Sequence, residues 1–259
     1  MYDVVIFAPL GWERRALQGG LGELRPATGL RRWSGRLGDG ATCLLVQAGV
    51  GFGRATTVAA GVPPAGLFIT CGCAGALVPT LRTGDVVAGD SVLRIDTTLE
   101  TTDRLPATAE PTATWAHAHG LPLQVGPVVS SPRLLASRAD KERAGRMGGL
   151  VVDMESAPIA TEARRRGVPH VVLRVVLDLA PQALDLPTGG VDLDSGEVKV
   201  GPTLLAMAPP WRWPNAARLA RQHSLTARSL RRLARVLLAG GGRAVFPRAD
   251  QPEATTRPR

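Results

Sequence analysis

The sequence predicts an α/β domain in which helices flank a central β-sheet. Its 259 residues, 44% hydrophobic and 20% charged, are enough to bury one sizeable core and apolar enough to offset their ordering entropy. Short β-branched runs alternate with helix-compatible segments along it, as they do in layered α/β folds. Between Leu150 and Leu179, a strand end, a turn, a helix with its own start and stop signals and a second apolar strand follow in succession. That order reads as a β-α-β unit with parallel strands.

Val4 to Ala8 is a β-branched and aromatic run closed by Pro9 and Gly11, a buried first strand ending in a loop, with Glu13 just past it. Cys43 to Ala48 is a second apolar run, followed by Gly49-Val50-Gly51-Phe52-Gly53 and a helix-compatible Arg54 to Ala60. A glycine-rich strand-to-helix turn invites a dinucleotide site, but the third glycine of that spacing falls on Arg54 and the acidic partner is missing, so that reading fails. Gly66 to Thr70 is a third strand, running into Cys71-Gly72-Cys73-Ala74-Gly75-Ala76. These side chains are small enough for a ligand to press against backbone. Val86 to Ala88 and Leu123 to Val129 read as further strands, and Arg94 to Trp115, without periodicity, as a long loop or lid.

Leu150 to Val152 ends a strand, Asp153-Met154-Glu155-Ser156 turns, Pro158 suits a first helical turn, Gly167 stops the helix and Pro169 bars its return. His170 to Leu177 is then a near-continuous apolar strand ended by Asp178. Pro187 to Pro210 looks irregular, and Asn215 to Leu238 reads as a helix with Leu219, Leu230, Leu233 and Leu237 near one stripe. The division expected is one domain over residues 1–240, closed by a basic helix at about 211–239, and a flexible tail over 241–259.

The cysteines, Cys43, Cys71 and Cys73, are odd in number and ill spaced for a disulfide framework. The chain opens Met1-Tyr2-Asp3 without a basic lead and holds no apolar stretch of roughly 18 residues, so a reduced cytoplasm is expected. The net charge of +9 is almost all arginine, Lys141 and Lys199 being the only lysines. Trp211 to Arg243 holds eight arginines and no acid, a local basic block. His117-Ala118-His119 lacks the further ligands of a metal site.

Ligands of parallel sheets bind at the carboxyl ends of the strands. That rule gathers Glu13, the Gly72-Cys73-Ala74-Gly75 segment, Asp153, Glu155 and Asp178 at one rim. Several carboxylates around small residues suit acid and base catalysis on a sugar or nucleoside. The plainer alternative for Glu13 and Glu155 is a surface cap near a helix start. Asp178, set between Val175-Val176-Leu177 and Leu179-Ala180, needs a partner or a proton if it is buried.

The ordered set Glu13, Cys71 to Leu77, Gly84-Asp85-Val86-Val87, Val152 to Ser156 and Arg174 to Asp178 resembles the purine nucleoside phosphorylase and methylthioadenosine/adenosylhomocysteine nucleosidase superfamily. The resemblance implies a three-layer α/β fold with a central mixed β-sheet flanked by helices. It implies that Glu13 activates water, that Met154 and Glu155 hold the ribose, and that Asp178 protonates the purine. Cys73, Ala74 and Gly75 would line the substrate site, with no metal or organic cofactor and with a homo-oligomer of at least two copies. Where bacterial phosphorylases of this superfamily carry a phosphate-binding arginine, this chain has Thr70, which favours hydrolysis over phosphorolysis. Cys73 stands for a common serine of the nucleosidases and Asp153 for a common glutamate.

The second half is most similar to the hopanoid-associated branch, which implies adenosylhopane as substrate and ribosylhopane as product. A lipid-linked substrate gives the basic helix a purpose, as an arginine-rich face resting on an anionic membrane. The alternative from another class is a non-catalytic basic module binding nucleic acid or membrane. An aromatic content of 4% argues against base stacking, so no nucleic-acid partner is expected.

Overall fold

The computed structural model describes residues 1–183, 191–192, 197–198 and 213–241. In chain order these form β1 (Val4–Ala8), α1 (Gly11–Leu21), β2 (Arg25–Pro26), β3 (Arg32–Arg36), β4 (Thr42–Gln47), α2 (Phe52–Ala60), β5 (Phe68–Ala76), β6 (Val86–Ile95), β7 (Thr101–Pro106), α3 (Glu110–Ala118), β8 (Leu123–Ser130), α4 (Arg138–Gly145), β9 (Val151–Asp153), α5 (Ser156–Arg166) and β10 (His170–Asp178). The short pair β11 (Val191–Asp192) and β12 (Glu197–Val198) follows, then α6 (Trp213–Leu233), which passes into π-helical winding over Ala234–Gly241.

Alternation along the strands sorts the core into two faces. Val4, Ile6, Ala8, Cys43, Leu45, Ile69 and Cys71 join one cluster with Leu17 and Leu21 of α1, Ala113 of α3 and Leu230 and Leu233 of α6. Their neighbours Val5, Phe7, Leu44, Val46 and Phe68 join another with Ala55 and Ala59 of α2 and Ile159 and Ala163 of α5. The sheet therefore lies between two helical layers, as expected.

The ten-stranded sheet is mixed and runs β10-β6-β8-β9-β5-β1-β4-β3-β2, with β7 on β6. β10 also pairs with β5, so β5, β9, β8, β6 and β10 close on themselves. β1, β4, β5 and β10 share a direction, whereas β9 pairs antiparallel with β5 and parallel with β8. The expected parallel β-α-β unit is thus corrected: β9 and β10 run in opposite senses and do not pair. The local pattern identified both strands and the helix between them, but direction is set by partners distant in sequence.

Two further expectations are corrected. The segment Cys71 to Ala76 does not follow a strand but is the second half of β5, where Cys71 to Ala74 pair with Leu173 to Val176. The proposed loop or lid from Arg94 to Trp115 is the end of β6, all of β7 and most of α3. The β7 strand, Thr-Thr-Asp-Arg-Leu-Pro, buries only Leu105, so an edge strand with a polar face gave little apolar alternation to detect. The irregular stretch expected from Pro187 to Pro210 lies outside the described residues except for the β11–β12 pair, and the tail after 241 lies outside them too.

Helix α6 spends its apolar stripe on the domain, with Leu230, Leu233 and Leu237 fully buried. Its polar side reaches the site: Thr226 Oγ1 donates to the Val176 carbonyl at 3.0 Å and Gln222 Nε2 to Gln182 Oε1 at 2.8 Å. No helix among the described residues is long and apolar enough to cross a membrane.

Candidate active site

The first turn of α1 delivers Glu13, 1% exposed. The Leu10 N–H donates to its Oε2 at 2.7 Å and the Cys73 N–H to its Oε1 at 2.7 Å. One oxygen therefore caps the helix start and the other is tied to β5, so the cap is a buried one and not the surface cap of the alternative reading. Burial pushes the Glu13 carboxyl up, opposed by the Cys73 and Leu10 hydrogen bonds and by Arg174. Burial and the neighbouring Glu13 also push the Cys73 thiol well up, which keeps it a neutral thiol.

Gly72 is what lets β5 pass between its neighbours. A Cβ there would lie 3.0 Å from Glu13 Oε1 and 3.0 Å from Arg174 Nη1. Arg174 of β10 is fully buried; it pairs with Asp153 at 2.6 Å and donates to Ser156 Oγ at 3.0 Å. Asp153 in turn accepts from the N–H groups of Glu155 and Ser156 at 3.2 and 3.1 Å and from the Ser156 hydroxyl. This lattice fixes the start of α5, and it explains how a strand running against β5 still brings Glu155 to the same rim.

Glu155 is 4% exposed and its Oε1 accepts from the Gly51 N–H at 3.0 Å. Gly51 has φ 89°, a conformation that favours glycine, and a Cβ there would meet the Met154 methyl at 3.9 Å. Burial, with Asp153 adding to it and Arg174 opposing it, pushes the Glu155 carboxyl up to about 8. The folded chain thus holds that proton more tightly than the unfolded chain. The stabilisation it gives is complete below the ordinary value of 4.5 and is lost as pH rises through about 8. Glu155→Gln is therefore expected to melt above wild type at pH 9, by on the order of several degrees, with the gap narrowing toward pH 5. A gap independent of pH in thermal melts would contradict this.

Asp178 ends β10 after a bulge. Val176 pairs with Ala74 and Asp178 with Gly75, leaving Leu177 as the extra residue; bulges re-aim side chains in this way. The carboxylate lies directly on Gly75, where a Cβ would come 2.9 Å from Oδ2 and 3.3 Å from Oδ1. Gly75→Ala is expected to displace the carboxylate and lower turnover about 100-fold without loss of near-UV circular dichroism. Turnover near wild type would show that the position of Asp178 is unimportant. Asp178 is also ion-paired with the buried ammonium of Lys141.

Gly75, Val152, Met154 and Asp178 line a cavity of about 40 Å³, closed by Arg133, Leu134 and Leu135. That volume is of the size that holds water. Of the expected site residues, Gly75, Met154 and Asp178 face the cavity, while Glu13, Cys73 and Glu155 gather around Arg174 beside it. Ala74 does not face the cavity; it packs in the cluster that holds Ala157 and Val172. His117 bonds the Leu123 carbonyl and His119 stacks on Trp115 at 4.0 Å.

Sequence reasoning missed Leu134, Leu135 and Lys141. The two leucines carried no motif. Lys141 did carry a signal: it is one of two lysines in a chain that otherwise uses arginine.

A family model described as Phosphorylase superfamily matches residues 3–197. No curated protein matches the chain. Among solved structures, the chain is similar to a 5'-methylthioadenosine/S-adenosyl homocysteine nucleosidase of Helicobacter pylori, at 16% identity and TM-score 0.65, over 89% of this chain and 94% of that one. It is similar to the S-adenosylhomocysteine nucleosidase of Streptococcus pyogenes, at 20% identity and TM-score 0.65, over 91% and 97%. It is also similar to the futalosine hydrolase of Helicobacter pylori, at 16% and 0.65, over 89% and 94%. At these identities the likeness is one of fold.

Proposed function

The chain belongs to the phosphorylase superfamily, and on that premise we propose that it is an N-glycosidase releasing adenine from an adenosyl compound by hydrolysis. The observation that carries the reading is the meeting of Glu13 and Asp178 on the Gly72–Gly75 backbone, with Glu155 held beside them by the Gly51 N–H and sharing the field of Arg174. In the proposed reaction Asp178 takes a proton from solvent on the oxygen that Lys141 does not hold and passes it to the purine as the bond from C1' to the base breaks and its electrons leave with the base. Glu13 takes a proton from the water whose oxygen bonds to C1'. Glu155 accepts from ribose hydroxyls, and Met154 packs against the sugar.

Water is favoured over phosphate as the nucleophile because the available cations are committed. The Thr70 hydroxyl bonds His170 Nε2 at 2.7 Å. Burial and then Arg174 push that imidazole down to about 3, so it is neutral. Arg174 itself is held by Asp153.

We further propose adenosylhopane as the adenosyl compound and ribosylhopane as the product, with residues 1–240 acting as one domain in a homo-oligomer. The resemblance of Asp153-Met154-Glu155-Ser156 and of the arginine-rich C-terminal segment supports the substrate. Since Leu230, Leu233 and Leu237 are buried in the domain, attraction to an anionic membrane would rest on the exposed arginines of α6, at about 1 kcal/mol each near the surface.

The test is adenine release from adenosylhopane and from methylthioadenosine, each with and without phosphate. Phosphate-independent release from the lipid substrate, at a kcat/KM at least about tenfold above the soluble one, is expected. Preference for methylthioadenosine would contradict the lipid assignment, and strict phosphate dependence would contradict hydrolysis.

A further inference from the structure

We propose that Lys141 is a positioning residue for the leaving-group chemistry: it grips one oxygen of Asp178 so that the other faces the departing base. The inference rests on the N-glycosidase reading of the site.

Lys141 lies on α4, where Arg138, Glu142 and Arg143 are exposed, yet it is itself 1% exposed. Its ammonium donates to Asp178 Oδ2, to the Leu179 carbonyl at 3.0 Å and to the Gln182 carbonyl at 2.9 Å. Three N–H groups thus meet three acceptors, which uses up the donors of an ammonium. None is left for a substrate, so Lys141 acts through Asp178 rather than as the proton donor. No described residue donates to Asp178 Oδ1; both oxygens lie close to Gly75, and Asp178 lines the cavity.

The choice of lysine has a physical reason. A planar guanidinium presents its donors in a fixed fork, whereas an ammonium fits three acceptors converging on a point. A wish for stability alone does not explain the pair, because buried ion pairs are often no better for stability than apolar replacements. The same grip anchors the chain leaving β10: Gln182, whose carbonyl Lys141 holds, is bonded through its side chain to Gln222 of α6. The acid is thereby tied to α4 and, through Gln182, to α6.

The experiment compares Lys141→Met with wild type on methylthioadenosine and on 4-nitrophenyl riboside, whose leaving group departs as a stable anion without a proton. The ratio of the two kcat values, purine over nitrophenyl, is expected to fall about 100-fold in the variant, with KM for the purine changed less than about threefold. Equal losses on both substrates, or none, would overturn the inference while leaving the N-glycosidase reading standing. Failure of the wild-type protein to release either leaving group would overturn the reading and the inference with it.

Because Lys141→Met leaves a buried carboxylate unpaired, Asp178→Asn is measured beside Asp178→Asn/Lys141→Met, in which both charges are gone. If Lys141 acts through Asp178, the second substitution changes the residual kcat by less than about threefold. A further tenfold loss would give Lys141 a separate role and overturn the proposal.

Discussion

Replacement of Glu13 by Gln is expected to lower turnover by about 10²–10⁴-fold while the fold is kept. The amide oxygen can accept from one of the two N–H groups that now meet the carboxylate, those of Cys73 and Leu10. The amide NH2 then faces the other, at a cost of about 1–3 kcal/mol. That loss is partly offset because a carboxyl raised by burial no longer has to ionise. Wild-type kcat should rise with pH over a range above that of an ordinary carboxylate, since the base must be ionised to take a proton from water. The residual rate of the variant should lack that rise. A variant turning over near the wild-type rate, with near-UV circular dichroism showing an intact fold, would remove Glu13 from the chemistry.

The largest stability effect is expected at Arg174. Arg174→Met strands the Asp153 carboxylate, which is buried and otherwise bonded only to the start of α5. Breaking a buried pair from one side costs about 3–5 kcal/mol, which for a chain of this size lowers Tm by roughly 6–20 °C. Asp153→Asn in the Arg174→Met background should recover part of that loss, because the stranded charge is gone. A single variant melting within about 2 °C of wild type would mean that Asp153 is not held as the partner of Arg174.

Much of this was legible in the sequence wherever the signal is local. Val4–Ala8 has the bounds its β-branched run implies, and Gly167, with φ 65°, ends α5 as a left-handed cap should. Glu13 and Asp178 reach one rim because β1 and β10 both run parallel with β5, as the rule about strand ends requires. Glu155 reaches it for a different reason. Its strand runs the other way and meets only the last residues of β5, Gly75 and Ala76, which no local pattern encodes.

The small residues from Cys71 to Ala76 resemble a loop by composition. They form a strand because they pair with β10, and Glu13, Arg174 and Asp178 press against Gly72 and Gly75 and leave no room for a side chain at those two positions. Lys141 was hidden for the opposite reason: its neighbours in sequence are charged and exposed, and only its distant partner Asp178 explains why it is buried.

In the proposed reaction water attacks C1' of a bound adenosyl compound with Glu13 as base. The most direct test is turnover of methylthioadenosine in phosphate-free buffer made with ¹⁸O water, with mass analysis of the sugar product. Free adenine and a sugar carrying one ¹⁸O at C1' are expected, with no stimulation when phosphate is added. A sugar 1-phosphate formed only in the presence of phosphate would contradict it and make the same pocket that of a phosphorylase.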